Sequence, residues 1–327
     1  MKNLISNFPS QVTEAIHIGK NAFLNINSKK YNKIVVSGLG GSGIGASIAA
    51  DYCFDLISVP LLVNKNYFIP KSVDADTLFI ACSYSGNTEE TLQAVKSAKQ
   101  KKATIVCITS GGELELFAKK NKLPHILIPP GMPPRSCLGY SMVQILYVLK
   151  ASGLLKSNFE KEILQGIELI KKENKNIHKQ AAAIAAKLHN QHIAIYTVAG
   201  YEGLAVRFRQ QLNENSKVLA WHNVIPEMSH NEIVGWKKPH EEITTVFCYS
   251  KSDFEKNLQR AAYVKKLIKK YTSNSIDIML KGDSYWEKVM YFINLTDWVS
   301  MYLSDLNGND ALEVKVIDGL KKEMSKK

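Results

Sequence analysis

Two loops carry residues whose types and spacing point to chemistry. Gly38-Leu39-Gly40-Gly41-Ser42-Gly43 fits G-x-G-x-x-G, between an apolar run and a small-residue segment. Glycines let a backbone approach a ligand closely, and a helix opening there offers free N–H groups to an anion. A dinucleotide site also needs an acidic residue about 20 positions on. Those positions hold Val63, Asn64 and Lys65. The acid is missing, and Lys65 alone would have to serve an NADP version. A ligand-free strand-to-helix turn fits this loop as well as an anion site does.

The second loop is Ser83-Tyr84-Ser85-Gly86-Asn87-Thr88, followed by Glu89-Glu90. Ordinary capping explains part of it, with Asn87 as N-cap and Glu90 completing a capping box. Capping does not call for Ser83, Ser85 and Thr88 together. Three hydroxyls around a glycine can converge with backbone N–H groups on one phosphate. Open α/β sheets bind ligands at the carboxyl ends of their strands, so one site shared by the two loops is the favoured reading. The sequence has no G-x-x-x-x-G-K-[ST] loop for ATP-dependent phosphoryl transfer and no G-x-S-x-G elbow for a hydrolase. No His, Cys, Asp and Glu set has convincing metal-ligand spacing.

The elements around these loops alternate. Strands are predicted at 33–37, 59–63, 77–82, 103–109 and 126–128. Helices are predicted after the glycine loop to about Tyr52, over 88–101, from about Glu113, and over 136–152. A mostly helical stretch over 161–189 follows, and the pattern restarts. Strands are predicted at 192–198, 243–249 and 276–280, and helices at 203–213, 253–271, 285–304 and 310–324. Repeated βα units call for parallel sheets flanked by helices. The expected architecture is therefore α/β, with domains over 1–152 and 153–327.

At this point the sequence is similar to a known family. Gly40-Gly41-Ser42 with Ser83 to Thr91 resembles the sugar-isomerase (SIS) domain. Pro134-Arg135 with Leu138-Gly139-Tyr140, Gln211 to Lys217, and His230-Asn231-Glu232-Ile233 narrow the resemblance to the bifunctional phosphoglucose/phosphomannose isomerases. The likeness covers nearly the whole chain. It implies two tandem SIS domains, a homodimer, no metal and no cofactor. It also implies interconversion of glucose 6-phosphate and mannose 6-phosphate with fructose 6-phosphate in carbohydrate metabolism.

By the same resemblance Gly41, Ser42, Ser83, Ser85 and Thr88 hold the sugar phosphate. Glu214 is the base between C1 and C2, and Arg135 faces the developing enediolate. His230 assists ring opening from across the subunit interface, and Lys321 completes the site. Leu39 stands where the family usually has Met, and Gly45-Ala46-Ser47 replaces a common Gly-Gly-Asp. The segment Asp310-Ala311-Leu312-Glu313 lacks the usual Pro, so Lys322 and Lys315 remain alternatives to Lys321.

The residue types suit the reaction, which needs an acid/base for ring opening, a base at C2 and a cation for the enediolate. Each also has a plainer reading. Glu214 fits a solvated surface charge, although an acid near a helix C-terminus is unfavourable and invites a reason. His230 fits a structural loop histidine, with His222 as a competitor. Arg135, stiffened by Pro133-Pro134, fits a cap on its own loop. A non-catalytic SIS-type sensor of sugar phosphates would keep the two loops without needing Glu214, His230 and Arg135 together.

Composition bounds the remaining classes. The 327 residues are 45% hydrophobic and 22% charged, an ordinary globular mixture. The net charge of +12 is spread, with sixteen basic and nine acidic residues in 1–152 and twenty-six and twenty-one in 153–327. Only three basic residues of the second half are Arg, which argues against nucleic acid as a partner. Five cysteines without CxxC spacing, and an N-terminus without an apolar stretch, are read as reduced thiols in a cytoplasmic protein. The longest uncharged stretch, Ile34 to Ala50, is broken by glycines and serines and is not read as a membrane span.

Overall fold

The computed structural model describes residues 1–26 and 30–324. Its elements begin with α1 (Lys2–Ser6), α2 (Phe8–Asn21), β1 (Lys33–Ser37), α3 (Gly40–Cys53), β2 (Leu61–Asn64) and β3 (Thr77–Ser83). There follow α4 (Glu89–Gln100), β4 (Thr104–Thr109), α5 (Gly112–Lys120), β5 (His125–Leu127), a 3-10 turn (Pro134–Ser136), α6 (Leu138–Ala151) and α7 (Phe159–Leu188). Then come β6 (His192–Val198), α8 (Glu202–Glu214), β7 (Ala220–Ile225) and 3-10 turns at Glu227–His230 and Glu232–Gly235. The chain closes with β8 (Ile243–Tyr249), α9 (Glu255–Ile268), β9 (Ser275–Met279), α10 (Tyr285–Leu306) and α11 (Lys315–Met324).

Two compact units result. One comprises Ser6–Gln165 with Gly200–Gly203; the other comprises Met1–Ile5, Gly166–Ala199 and the chain from Leu204 onward.

In the first unit five parallel strands lie in the order β2-β1-β3-β4-β5. All seven residues of β3 are buried, as expected for a strand covered on both faces. One face buries Val35, Phe79, Ala81, Ile105 and Cys107 against Ala94, Val95 and Ala98 of α4 and Leu114 of α5. Each large aliphatic or aromatic side chain buried this way contributes about 1.5–3 kcal/mol. The small residues of α3 let α6 approach: a Cβ on Gly45 would lie 2.6 Å from Ser141 Oγ and 3.0 Å from Met142 N. Chain order reverses between β1 and β3, which pair directly, so the helices after these strands open side by side at the switch point.

In the second unit four parallel strands lie in the order β7-β6-β8-β9. The 22-residue α10 is its central helix, buried along most of its length. It starts on a capping box: Glu287 N–H donates to Ser284 Oγ at 3.2 Å, and Ser284 N–H donates to Glu287 Oε2 at 2.8 Å.

Four elements depart from the sequence expectation. The first 21 residues carry helices α1 and α2, which no pattern reading assigned. Strand β7 was also unassigned: it is an edge strand, only partly buried, so its Ala-Trp-His-Asn-Val-Ile sequence lacks clean alternation. The last helix begins at Lys315 instead of Asp310, because Asp310 Oδ1 accepts the Leu312 N–H at 2.8 Å and forms a turn there.

Candidate functional site

Glycine shapes the first loop at three points. Gly40 has φ +52°, a left-handed backbone. A Cβ on Gly41 would lie 2.6 Å from Pro134 O, and one on Gly43 would lie 2.5 Å from Gly38 O. The N-cap of α3 is Leu39, which offers no side-chain cap, and the first turn has no acidic residue. The opening N–H groups of α3 therefore have no side-chain acceptor of their own. Ser42, 6% exposed, accepts the Tyr84 N–H on its Oγ at 3.2 Å and so ties the first loop to the second.

In the second loop Ser83 Oγ and Thr88 Oγ1 are hydrogen-bonded at 2.8 Å. Asn87 N–H donates to Ser85 Oγ at 3.3 Å. Asn87 does not cap α4. Its Oδ1 accepts the Glu113 N–H at 3.0 Å and so caps α5 instead. The N-cap of α4 is Thr88, whose hydroxyl makes no cap bond and turns to Ser83. The plain capping reading of this loop is thereby corrected: α4, like α3, opens without a side-chain cap. Two adjacent helix N-termini and four hydroxyls, from Ser42, Ser83, Ser85 and Thr88, make a cradle suited to a phosphate-like anion.

Arg135 lies in the same unit. It sits in the 3-10 turn Pro134–Ser136, is 5% exposed, and its Cα would be 3.6 Å from a Cβ on Gly41. Two side chains whose roles were missed in the sequence hold this turn and the loop that leads into it. Gln11 of α2 donates through Nε2 to Ser136 O at 2.8 Å and accepts the Gly139 N–H at 3.0 Å. Tyr84 donates its hydroxyl to Pro129 O at 3.0 Å and accepts the Met132 N–H at 3.0 Å. Burial, chiefly, pushes the Tyr84 hydroxyl pKa upward, so it stays a donor. The aromatic residue between two loop serines was the available signal for it.

The second unit holds the other expected residues. Glu214 is the last residue of α8 and is half-buried. Lys217 Nζ donates to Glu214 O at 2.6 Å and to Glu313 O at 2.7 Å. Glu214 lines a groove of about 350 Å³ with Leu219, Val314, Val316 and Ile317. The register of α8 is fixed by buried polar contacts to α10. Arg207 Nη2 reaches Asp297 Oδ1 and Oδ2 at 3.1 and 2.9 Å, and Gln211 Nε2 donates to Asp297 Oδ1 at 2.9 Å. Asn215 Nδ2 donates to Ser300 Oγ at 3.0 Å, and Ser216 Oγ donates to Ser300 O at 2.6 Å. Arg207, Gln211 and Asn215 recur every four residues, a polar stripe on a buried helix face that the sequence displays.

His230 ends the turn Glu227–His230; its ring is exposed and makes no hydrogen bond among the described residues. His222 lies on β7, half-buried. Lys321 lies on α11, which has no buried residue, and its ammonium is 3.9 Å from Asp318 of the same helix. Lys315 and Lys322 are exposed on that helix too.

The loop after β8 answers to the serine loop after β3, yet it is filled from within. Asp253 Oδ2 accepts the Ser250 N–H at 2.6 Å, and Ser252 Oγ accepts from Lys288 Nζ at 2.7 Å. There the Asp253 carboxylate takes the N–H that follows the strand, a group served after β3 by the Ser42 hydroxyl on the Tyr84 N–H. Among the described residues no group of three His, Cys, Asp or Glu side chains is placed to hold a metal ion. No helix among them is long and apolar enough to cross a membrane. All five cysteines are unbridged and buried.

Residues 28–123 match the SIS domain family, and residues 177–324 match the family described as bacterial phospho-glucose isomerase C-terminal SIS domain. A bifunctional phosphoglucose/phosphomannose isomerase from Caldicellulosiruptor bescii is 38% identical over 98% of both chains. The chain belongs to the bifunctional phosphoglucose/phosphomannose isomerase family. The family's Aquifex aeolicus member is 33% identical over 90% of this chain and 91% of its own. The C-terminal domain of glucosamine-fructose-6-phosphate aminotransferase from Francisella tularensis superposes with TM-score 0.77. It covers 94% of this chain and 96% of that one at 16% identity, a likeness of fold. Within this phosphoglucose/phosphomannose isomerase family member, the SIS match spans the glycine loop and the serine loop, and the C-terminal match spans Glu214, His230 and Lys321.

Proposed function

We propose that this chain is an aldose–ketose isomerase interconverting glucose 6-phosphate and mannose 6-phosphate with fructose 6-phosphate. The phosphate dianion is held by Gly41, Ser42, Ser83, Ser85 and Thr88. The observation that carries this assignment is Thr88, which gives its hydroxyl to Ser83 and leaves the N-terminus of α4 uncapped. His230, supplied by the partner subunit of a homodimer, moves a proton between the C1 hydroxyl and the ring oxygen, opening the ring. Glu214 takes the C2 proton of the open aldose to give a cis-enediolate, a proton passes from the C2 hydroxyl to the C1 oxygen through the cis-enediol, and Glu214 returns its proton to C1 of the ketose. The buried Arg135 guanidinium stabilises negative charge on the enediolate oxygens, with Lys321 as a second cation. The names of the relatives support this substrate pair, and the place of action is cytoplasmic sugar metabolism.

A coupled assay with both aldose phosphates, run with chelator present, tests the reading. Wild-type protein is expected to turn over both. Glu214→Gln is expected to lose about 10³-fold or more in kcat while still binding the sugar phosphate. Near-normal turnover by Glu214→Gln rejects the role of Glu214. Tight binding without turnover by wild-type protein instead makes the chain a sugar-phosphate sensor.

A further inference from the structure

Among the described residues the exposed ring of His230 makes no hydrogen bond, yet the backbone on either side is fastened. Met228 is fully buried and Trp236 is 6% exposed, so each end of the segment is anchored. Asn231 joins the two 3-10 turns: its Nδ2 donates to Glu227 Oε1 at 2.6 Å, and its Oδ1 accepts the Glu232 N–H at 2.6 Å. The firmest attachment lies two residues beyond His230. Glu232 Oε1 accepts from Tyr196 Oη at 2.6 Å and from Trp221 Nε1 at 3.1 Å, while Oε2 accepts from Asn223 Nδ2 at 2.7 Å. Tyr196 and Asn223 are register partners on β6 and β7, so one carboxylate pins the turn to both strands.

A carboxylate taking three hydrogen bonds is far more than a 3-10 turn needs for its own closure. Hydrogen bonds to a charged acceptor are stronger than those between neutral groups, and three of them hold a loop that buries little apolar surface. The donors are committed. Asn223 Oδ1 accepts the Val224 N–H at 2.7 Å, which orients its amide so that Nδ2 faces Glu232. Burial and the nearby carboxylate raise the Tyr196 hydroxyl pKa, so it remains protonated.

We infer that Glu232 is a positioning residue for His230, on the reading of His230 as the ring-opening residue: its carboxylate locks the turn on β6 and β7 and thereby sets where the imidazole stands. It touches no reacting atom. Its contribution falls on ring opening and leaves phosphate binding unchanged.

Ring opening can be read apart from proton transfer as exchange between the two anomers of glucose 6-phosphate, followed by exchange NMR in a Glu214→Gln background. Glu232→Ala is expected to slow anomer exchange about 10- to 100-fold, the scale of an ångström misplacement. In the otherwise wild-type enzyme it is expected to lower kcat similarly, with KM within about 2-fold. Glu232→Gln should be intermediate, because its amide would face the Asn223 amide donor to donor. The pair Glu232→Gln with Asn223→Asp restores all three donor–acceptor contacts and should recover exchange to within about 3-fold of the parent, a coupling read as a double-mutant cycle.

Anomer exchange at the parental rate in Glu232→Ala, with His230→Asn slow, overturns the inference. So does a paired variant no faster than Glu232→Gln, and that comparison decides the matter if Glu232→Ala fails to fold. Parental exchange in His230→Asn overturns the role of His230 and this inference with it, while the loss of turnover in Glu214→Gln stands independently.

Discussion

Ser83 Oγ and Thr88 Oγ1 meet at 2.8 Å across the turn that leaves β3. A threonine at an N-cap ordinarily spends its oxygen on its own helix. Here that bond is forgone, and the oxygen faces back along the loop toward the end of the strand. The loss to α4 is about 1 kcal/mol, and the gain is a hydroxyl pair beside uncapped N–H groups.

Replacing Thr88 by Val keeps the shape and removes the hydroxyl. Ser83 loses its partner and the anion loses a donor. KM for either aldose phosphate is expected to rise about 10-fold, with kcat within about 3-fold, the signature of lost uniform binding. Inorganic phosphate, tested as a competitive inhibitor, should weaken in parallel. Unchanged KM and phosphate inhibition would remove Thr88 from the anion site.

Gly86 is held by geometry. Its φ is +71°, its N–H donates to Ser83 O at 3.1 Å, and its carbonyl accepts from Leu114 N at 3.0 Å. A Cβ there would collide with the Gly111 carbonyl. Gly86→Ala combines left-handed strain with a backbone clash and is expected to cost about 3 kcal/mol. Gly131 also has positive φ, +89°, with nothing within 4 Å of an added Cβ, so Gly131→Ala should cost only about 1 kcal/mol. Urea midpoints of the two variants measure the difference, and equal midpoints would refute it.

How much was legible before the structure depended on the kind of signal. Strands 192–198 and 243–249 fall where the sequence places them, because their runs of buried apolar residues are bounded on both sides. The glycine loop falls at a strand-to-helix turn where the sequence places it, because Gly40 takes a left-handed backbone and Gly41 and Gly43 leave no room for a Cβ. Strand β7 was not, since an edge strand needs only part of the apolar pattern. Asn87 misled because capping α5, 26 residues on, is a tertiary event written in the same residue type as a local cap. The Asp297 network was hidden for a related reason: the sequence displays Arg207 and Gln211 as a polar stripe, but their shared partner lies 90 and 86 residues away.

That network gives the next prediction. Arg207 is 2% and Asp297 6% exposed, so neither charge has water to fall back on. Asp297→Ala removes the buried carboxylate that faces the guanidinium and should destabilise the protein by about 3–5 kcal/mol. Asp297→Asn keeps an oxygen for Arg207 and Gln211 and should cost less. Replacing Arg207 by Met together with Asp297 by Leu removes both charges and should cost less than the sum of the single changes, a coupling read by denaturant titration. Additive costs would mean that the pair is not coupled.

Asp51 supplies a pH dependence whose sign can be worked out. Its Oδ2 accepts the Gly203 N–H at 2.8 Å. Burial raises its pKa from 3.8 to about 6; Glu202 adds to the rise, while the Gly203 bond and Lys65 oppose it. The folded protein thus binds a proton at Asp51 that the unfolded chain releases near pH 4. Between about pH 4 and 6 stability falls as pH rises, and above about 6 this cost stays constant, at about 3 kcal/mol for a shift of this size. Asp51→Asn keeps an oxygen for Gly203 and cannot ionise. It is expected to match wild-type stability near pH 4 and to exceed it by about 2–3 kcal/mol at pH 8. Parallel stability curves for the two proteins across this range, from urea titrations at each pH, would place the ionisation of Asp51 elsewhere.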